Sequence, residues 1–505
     1  MLSLFIFLPL FFGGSLFAFP RKNLQLKALI LSIVYFLFTA SLFFIFDSQS
    51  HDLQLTEQLP LIPFLGVDYF LAIDGLSFWY ILLSSFLLPL TILCSWKENN
   101  PVYFFLLFLL VALSVGAFLS FDAILFYIFF EMSLLPLFFL IYIWGGKGRF
   151  YAAFKFLIYT FLASLFLLVA FLSMMLIAET SFGEISSSIL DFYKLDFVFI
   201  EGDFLSTQNL LFLCCAFAFM VKTPVFPFHT WLPLAHVEAP TAASVYLAAV
   251  SLKLGTYGWF RFVLPLFPEA SDYYAPGLLF LAVFGLIYAS LVACAQKDMK
   301  RLVAYSSVAH MAYVLIGIFV FNIYGLTGAF YQTLTHGVSS AGLFLLVGLI
   351  YERTKSRDIS SYGGLAKTMP WFAACFFIIT LSSIALPLTG GFVSEFLVLL
   401  GSYLSGKFWF LGAIIGVVLS AVYMLRLFQH VFLSHLRQLS KGVKDLHFKE
   451  VCFLVPLIVL VFLMGIFPKA FFKYSEASLE HLNQSRYNYV LFKKTDPNKS
   501  LEEEL

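Results

Sequence analysis

Residues 207–264 read TQNLLFLCCAFAFMVKTPVFPFHTWLPLAHVEAPTAASVYLAAVSLKLGTYGWFRFVL. Two apolar runs, 207–227 and 240–264, dominate the stretch. Each is long enough to cross a bilayer, whose core of about 30 Å needs roughly 20 apolar residues in a helix. Each also carries a lysine well inside it, Lys222 in FAFMVKTPVFPF and Lys253 in YLAAVSLKLGTYG. A charge near the centre of a membrane helix costs about 2.5–3.5 kcal/mol on insertion scales, so such residues mark function by default. Pro224 and Pro227 follow Lys222 closely and remove backbone donors. Broken backbone at membrane depth is tolerated only where protein or water satisfies it. The stretch therefore predicts two membrane helices, the first discontinuous, that face a polar interior.

The rest of the chain extends this pattern. Of 505 residues, 61% are hydrophobic and only 12% charged, with a mean hydropathy of +0.93. A soluble domain has too little polar surface at that composition to cover its exterior. Apolar runs predict spans at 2–19, 27–46, 72–96, 101–120, 121–144, 150–178, 207–227, 240–264, 274–295, 301–321, 326–350, 369–398, 407–432 and 450–472. These are about fourteen in all, and their continuity predicts an all-α integral membrane protein instead of a barrel. Odd-numbered connections hold the basic residues, among them Arg21, Lys97, Lys147, Lys297, Arg353, Arg357 and Lys441. Even-numbered ones are acidic, with Asp47, Asp52 and Glu57 in the second and Glu179, Glu184 and Asp191 in the sixth. The positive-inside rule puts the odd connections in the cytoplasm or matrix and both termini on the periplasmic or intermembrane side. The first run, with no basic residues before it, is expected to be a span and not a cleaved signal. The polar segment 483–505 is expected to be a loosely ordered tail.

Further ionisable residues lie at mid-span. Glu131 sits in LFYIFFEMSLLPLF, His310 in SSVAHMAYV, His336 in QTLTHGVSS and Glu395 in LPLTGGFVSEFLVLL. The plainer reading of Glu131 and Lys222 is an ion pair that locks two helices, but a buried pair roughly breaks even and holds a bundle poorly. A hydrogen-bonded histidine inside a bundle is likewise common. Four charges and two histidines, each on its own helix, exceed what locking requires and predict a proton relay. Burial favours the neutral form of acids and bases alike, and an opposite charge restores the ionised form, so such pairs trade protons when the distance between them changes. Imidazole titrates in the range that suits proton hopping.

A second helix break is predicted at ALPLTGG, where Pro387, Gly390 and Gly391 precede Glu395. Breaks beside buried charges point to ion paths in transporters. Spans four to eight (101–264) and nine to thirteen (274–432) then form two matching blocks. Each block has an ionisable residue in its second span and a break in its fourth, flanked by a three-helix segment (1–100) and a last span (450–472). Five spans per block make the second block inverted relative to the first, which suits two half-channels that open to opposite sides. The six cysteines form no C-x-x-C pair, and there is no glycine-rich phosphate loop. No metal, iron–sulfur or nucleotide site is expected on the chain, and nothing in its charge pattern suggests nucleic acid.

At these residues the sequence resembles the antiporter-like membrane subunits of respiratory complex I, the NADH:quinone oxidoreductase. The segment Met220 to Gly258 carries the most specific likeness, joined by QKDMKRLVAYSSVAHMAYVLIG, TLTHGVSSAGLFL and DLHFKEVCFLVPLIVLVFLMGIFP. Glu395 matches the family member with glutamate at that position, where the other two complex I members carry lysine. The resemblance implies that Glu131 and Lys222 form a coupling ion pair, Lys253 is the central relay residue and Glu395 the terminal donor. His310 and His336 would line a hydrated axis between them. It further implies that NADH, FMN, iron–sulfur clusters and quinone are handled by partner subunits. Two related antiporter-like subunits would flank this chain within the bilayer. Subunits of multisubunit cation/proton antiporters and membrane-bound hydrogenases share these motifs and remain alternatives.

Overall fold

A computed structural model of the chain describes residues 1–495 except Phe19 and Lys407, with side chains described as far as Arg486. Among the described residues ten helices are long and apolar enough to cross a membrane, from Leu24–Ile45 to Phe448–Ile466. The shorter apolar helices Leu2–Ser15, Thr207–Lys222, Pro370–Ser383 and Gly390–Leu404 and the helical segment 241–266 occupy the remaining apolar runs. The molecule is a multi-pass, all-α membrane bundle. Helix starts follow local chemistry. Asp74, Asn100, Asp122, Asp298 and Asn322 each accept a backbone N–H of the first turn of the span they precede, satisfying donors that a helix leaves open.

The two blocks of five have the same order. The third helix is the long one in each, Arg149–Phe182 and Ile323–Thr354. The fourth is broken in each, into Thr207–Lys222 and Trp231–Glu238 and into Pro370–Ser383 and Gly390–Leu404. The fifth carries π-helical turns in each, at Leu247–Ser251 and Trp259–Val263 and at Gln429–Leu433. Five crossings per block invert the second block relative to the first. Pro224 and Pro227 lie inside the first break and Pro387 inside the second. Gly390 and Gly391 depart from expectation: they are the opening residues of the second half-helix. Their bareness serves contact, because a Cβ on Gly391 would overlap Ser382 O and one on Gly390 would lie 2.8 Å from Met464 Cβ and Thr335 Cγ2.

Connections segregate by parity, as the charge pattern predicts. Lys147, Lys297, Lys300, Lys355 and Arg357, from the fifth, ninth and eleventh connections and their edges, line one cavity of about 620 Å³. Lys97 meets Glu352 at 2.6 Å and Arg353 meets Glu450 at 2.6 Å at the same end. At the opposite end Asp68 N donates to Asp122 Oδ2 at 3.0 Å and Ser187 N to Gly66 O at 3.0 Å, joining the second, fourth and sixth connections.

Two elements there were not expected. Gln54–Ile62 and Val67–Ile73 form an antiparallel hairpin, which hydropathy partly merges into the third span. Its turn needs Gly66, at φ +61°, where a side chain would also strike Ile185 O. The supposed loose tail is a helix as far as it is described, Glu476–Thr495. It docks because Ser478 Oγ accepts Gly75 N at 3.1 Å, Leu479 is buried, and Arg486 pairs with Asp272 and lies 3.5 Å over the Phe321 ring. Residues 496–505 of that tail lie outside the described residues.

Candidate proton-transfer site

The site starts at a defect in the eighth span. In the π-turn Leu247–Ser251 the helix is widened by one extra residue, and the Ala248 carbonyl accepts the ammonium of Lys253 at 2.7 Å. Such turns are rare and concentrate at functional positions. Lys253 is fully buried, and its Nζ also lies 2.7 Å from His336 Nδ1 on the eleventh span. His336 Nε2 has no protein partner. The His336 ring is 5.5 Å, centroid to centroid, from that of His310 on the tenth span.

His310 Nδ1 then meets Glu395 Oε1 at 3.1 Å, with both side chains buried, and His310 Nε2 lies 3.4 Å from Ser383 Oγ. Four of the six predicted residues are thus consecutive: Lys253, His336, His310, Glu395. They come from the eighth, eleventh, tenth and twelfth spans. The second break makes the junction, because Ser383 ends its first half-helix and Glu395 lies in the second turn of the other half.

Glu131 and Lys222 form a separate group. They are electrostatic neighbours, with Ser164 of the sixth span beside Glu131. They are not a hydrogen-bonded ion pair, and this corrects the expected contact: Lys222 Nζ and Glu131 Oε2 each have no protein partner. Lys222 instead lies 4.5 Å over the ring of Phe130, the residue before Glu131, a contact that holds a desolvated ammonium through the ring's negative face. The two groups are linked by backbone. A Cβ on Gly255, two residues past Lys253, would lie 2.6 Å from Thr223 Oγ1 and 2.8 Å from Thr223 N, so the first break is pressed against the eighth span.

Sequence reasoning missed several members. Gln332, one turn before His336, donates to Glu395 Oε1 at 3.3 Å, and its Nε2 lies 3.2 Å from His310 Nδ1. Its own carbonyl accepts the hydroxyl of Ser394, which is also 3.1 Å from Thr335 Oγ1. The spacing of Gln332 and His336 on one helical face was the available signal. His236, in the second half of the first broken span, is fully buried with both ring nitrogens unpartnered by protein. It stacks on Phe344 at 4.4 Å, and Lys253 and Lys300 are its charged neighbours. No group of three or more His, Cys, Asp or Glu side chains suited to a metal is found among the described residues.

Taken as chemistry, the arrangement is a line of titratable hydrogen-bond donors and acceptors. It ends in a carboxylate with one oxygen, Oε2, unpartnered by protein. Residues 120–421 match the family described as NADH:quinone oxidoreductase/Mrp antiporter, TM. NADH-quinone oxidoreductase subunit M of Rhodobacter capsulatus is 42% identical over 497 residues, 96% of each chain. NADH-ubiquinone oxidoreductase chain 4 of Arabidopsis thaliana is 38% identical over 493 residues, 96% of this chain and 97% of that one. A chain of respiratory complex I from Thermus thermophilus superposes with a TM-score of 0.87 at 33% identity, covering 96% of this chain and all of its own. The protein therefore belongs to the NADH:quinone oxidoreductase/Mrp antiporter transmembrane family, with relatives along nearly its whole length that are complex I membrane subunits.

Proposed function

We propose that this chain is a proton-translocating membrane subunit of an NADH:quinone oxidoreductase. The observation that carries the reading is the buried line Lys253, His336, His310, Glu395, joined by contacts of 2.7 Å and 3.1 Å on either side of the histidine pair. Identity of 42% to a subunit M along nearly the full length favours this reading over an antiporter or hydrogenase subunit.

Lys253 is the hub. Its ammonium passes a proton to His336 Nδ1, and the imidazole releases one from Nε2, so a single ring moves charge without moving itself. His310 receives the proton and delivers it to Glu395. Gln332 holds the imidazole and the carboxylate in register. The drive comes from Lys222, which has only a ring face and a distant carboxylate to hold its charge. A change in the Glu131–Lys222 separation alters the potential at Lys253 strongly, because the surroundings are of low dielectric. Moving one charge against 100 mV takes about 2.3 kcal/mol, and one pKa unit is worth about 1.36 kcal/mol, so changes of about two units suffice. Redox energy is released in partner subunits, which hold NADH, FMN, iron–sulfur clusters and quinone. Two related subunits flank this one in the membrane. The basic end faces the cytoplasm or matrix and both termini face the other side.

The test is to replace Lys253 and, separately, Lys222 and Glu395 with alanine in the assembled complex, and to follow proton uptake into vesicles with a pH-sensitive dye alongside NADH oxidation. Each variant is expected to lose most of its pumping. Full pumping at unchanged oxidation in the Lys253→Ala complex would remove the relay assignment.

A further inference from the structure

Two apolar grooves flank the end of the thirteenth span, Trp409–Leu433, on its outer face. One, of about 700 Å³, runs along Val417, Val418, Ala421 and Val422 to Arg426 and His430. The other, of about 590 Å³, lies between this helix and Pro370–Ser383, with Ala373, Ala374 and Phe377 opposite Phe428. Leu425 and Gln429 border both, so the grooves straddle the same two turns. Alanines give them depth, and Val418 (58% exposed) and Leu425 (41% exposed) face outward.

Where the grooves meet, the helix turns polar. Arg426, Gln429 and His430 are all exposed. Among the described residues no carboxylate pairs with Arg426, although its guanidinium is always charged and lies on a membrane-facing surface. His430 Nδ1 donates to the Arg426 carbonyl at 2.9 Å, which fixes the ring and leaves Nε2 open. These residues occupy the last two turns before the connection that holds Arg437, Lys441, Lys444 and Lys449, so they stand at headgroup level on the basic side.

We propose that this is a binding site for one anionic diacyl phospholipid. Its phosphate lies against Arg426, whose planar fork matches two phosphate oxygens, with Gln429 and His430 beside it, and one acyl chain fills each groove. Charge complementarity requires an anion here, and the anionic lipids of the cytoplasmic leaflet supply it. A helix of a neighbouring subunit, about 10 Å across with its side chains, would cover one groove and leave the other open. Two chains hanging from one headgroup occupy both.

The experiment places the assembled complex in phosphatidylcholine vesicles doped with phosphatidylglycerol that carries a photoreactive group in one acyl chain. A phosphatidylcholine probe with the same chains is the control. Peptides spanning 409–433 are expected to be labelled by the phosphatidylglycerol probe at least about fivefold more than by the control, the factor that one cation near an anionic surface is worth. R426A should erase that preference, R426K should keep most of it, and A421W, which fills one groove, should lower labelling by both probes. Equal labelling by the two probes, or a preference that survives R426A, overturns the proposal. So does an amide cross-link from position 426 of R426K to a neighbouring subunit's carboxylate after carbodiimide treatment, which would identify a protein occupant.

Discussion

Gln332 connects the histidine half of the proposed relay to its carboxylate half, because its amide nitrogen donates to Glu395 and lies 3.2 Å from His310 Nδ1 while its carbonyl holds Ser394. Replacing it with leucine keeps the bulk and removes the donor to Glu395 and the acceptor of Ser394. A hydrogen bond to a charged group is worth about 1.5–3 kcal/mol, and about 1.4 kcal/mol is tenfold in rate. Gln332→Leu is therefore expected to slow pumping about tenfold, read as the initial rate of dye quenching divided by the rate of NADH oxidation. An unchanged ratio would reduce Gln332 to packing. The same reasoning ranks the two histidines. His336 bonds a lysine on one side and has an open nitrogen on the other, whereas His310 is held on both sides, so His336 is the less constrained of the two rings.

Among the elements, the π-turn and the two breaks do the positioning. A regular α-helix through Leu247–Ser251 would rotate Lys253 away from the Ala248 carbonyl it now meets, because one inserted residue shifts everything after it by about 100° around the axis. The contact at Gly255 is where the first break reaches this helix. Gly255→Ala forces Thr223 backbone to move, since its N would lie 2.8 Å from the new carbon, and overpacking of this kind costs about 1–3 kcal/mol. The variant is expected to assemble with a lowered melting temperature and to pump protons poorly while NADH oxidation persists. Gly277→Ala, where nothing lies within 4 Å of the added carbon, serves as the control. Equal behaviour of the two variants would show that the break and the eighth span do not communicate through this contact.

For the whole molecule, the acidic end is closed by a buried pair. Arg261 Nη2 lies 2.6 Å from Asp74 Oδ2, its Nε donates to Tyr257 Oη at 3.0 Å, and its guanidinium lies 4.4 Å over Phe121. The pair ties the start of the third span to the end of the eighth, and with it the three-helix segment to the first block. Removing one partner leaves a buried charge at a cost of about 3–5 kcal/mol, while replacing both with apolar groups is often neutral. Asp74→Leu alone should sharply reduce the amount of chain in membranes, by immunoblot of the assembled complex, and Asp74→Leu with Arg261→Leu should restore much of it. A double variant no better than the single one would mean that the clamp's geometry matters beyond its charge.

Hydropathy, charge parity and the mid-span prolines made legible the apolar runs, the separation of basic from acidic ends, both helix breaks and the ionisable residues within the apolar runs. These follow from the chain's exchange with lipid, which acts on each segment separately and so leaves its mark in local composition. The hairpin escaped because Pro60 and Pro63 make its turn region resemble a loop, and the helix 476–495 escaped because a polar segment reveals its docking partners only once they are assembled. The order of the relay was likewise out of reach. Lys253 and His336 are 83 residues apart and His310 and Glu395 are 85 apart, and no periodicity along one helix can report which neighbour it will face. That Lys222 meets a phenylalanine ring and makes no direct bond to Glu131 was decided by packing, which no local pattern of charges reports.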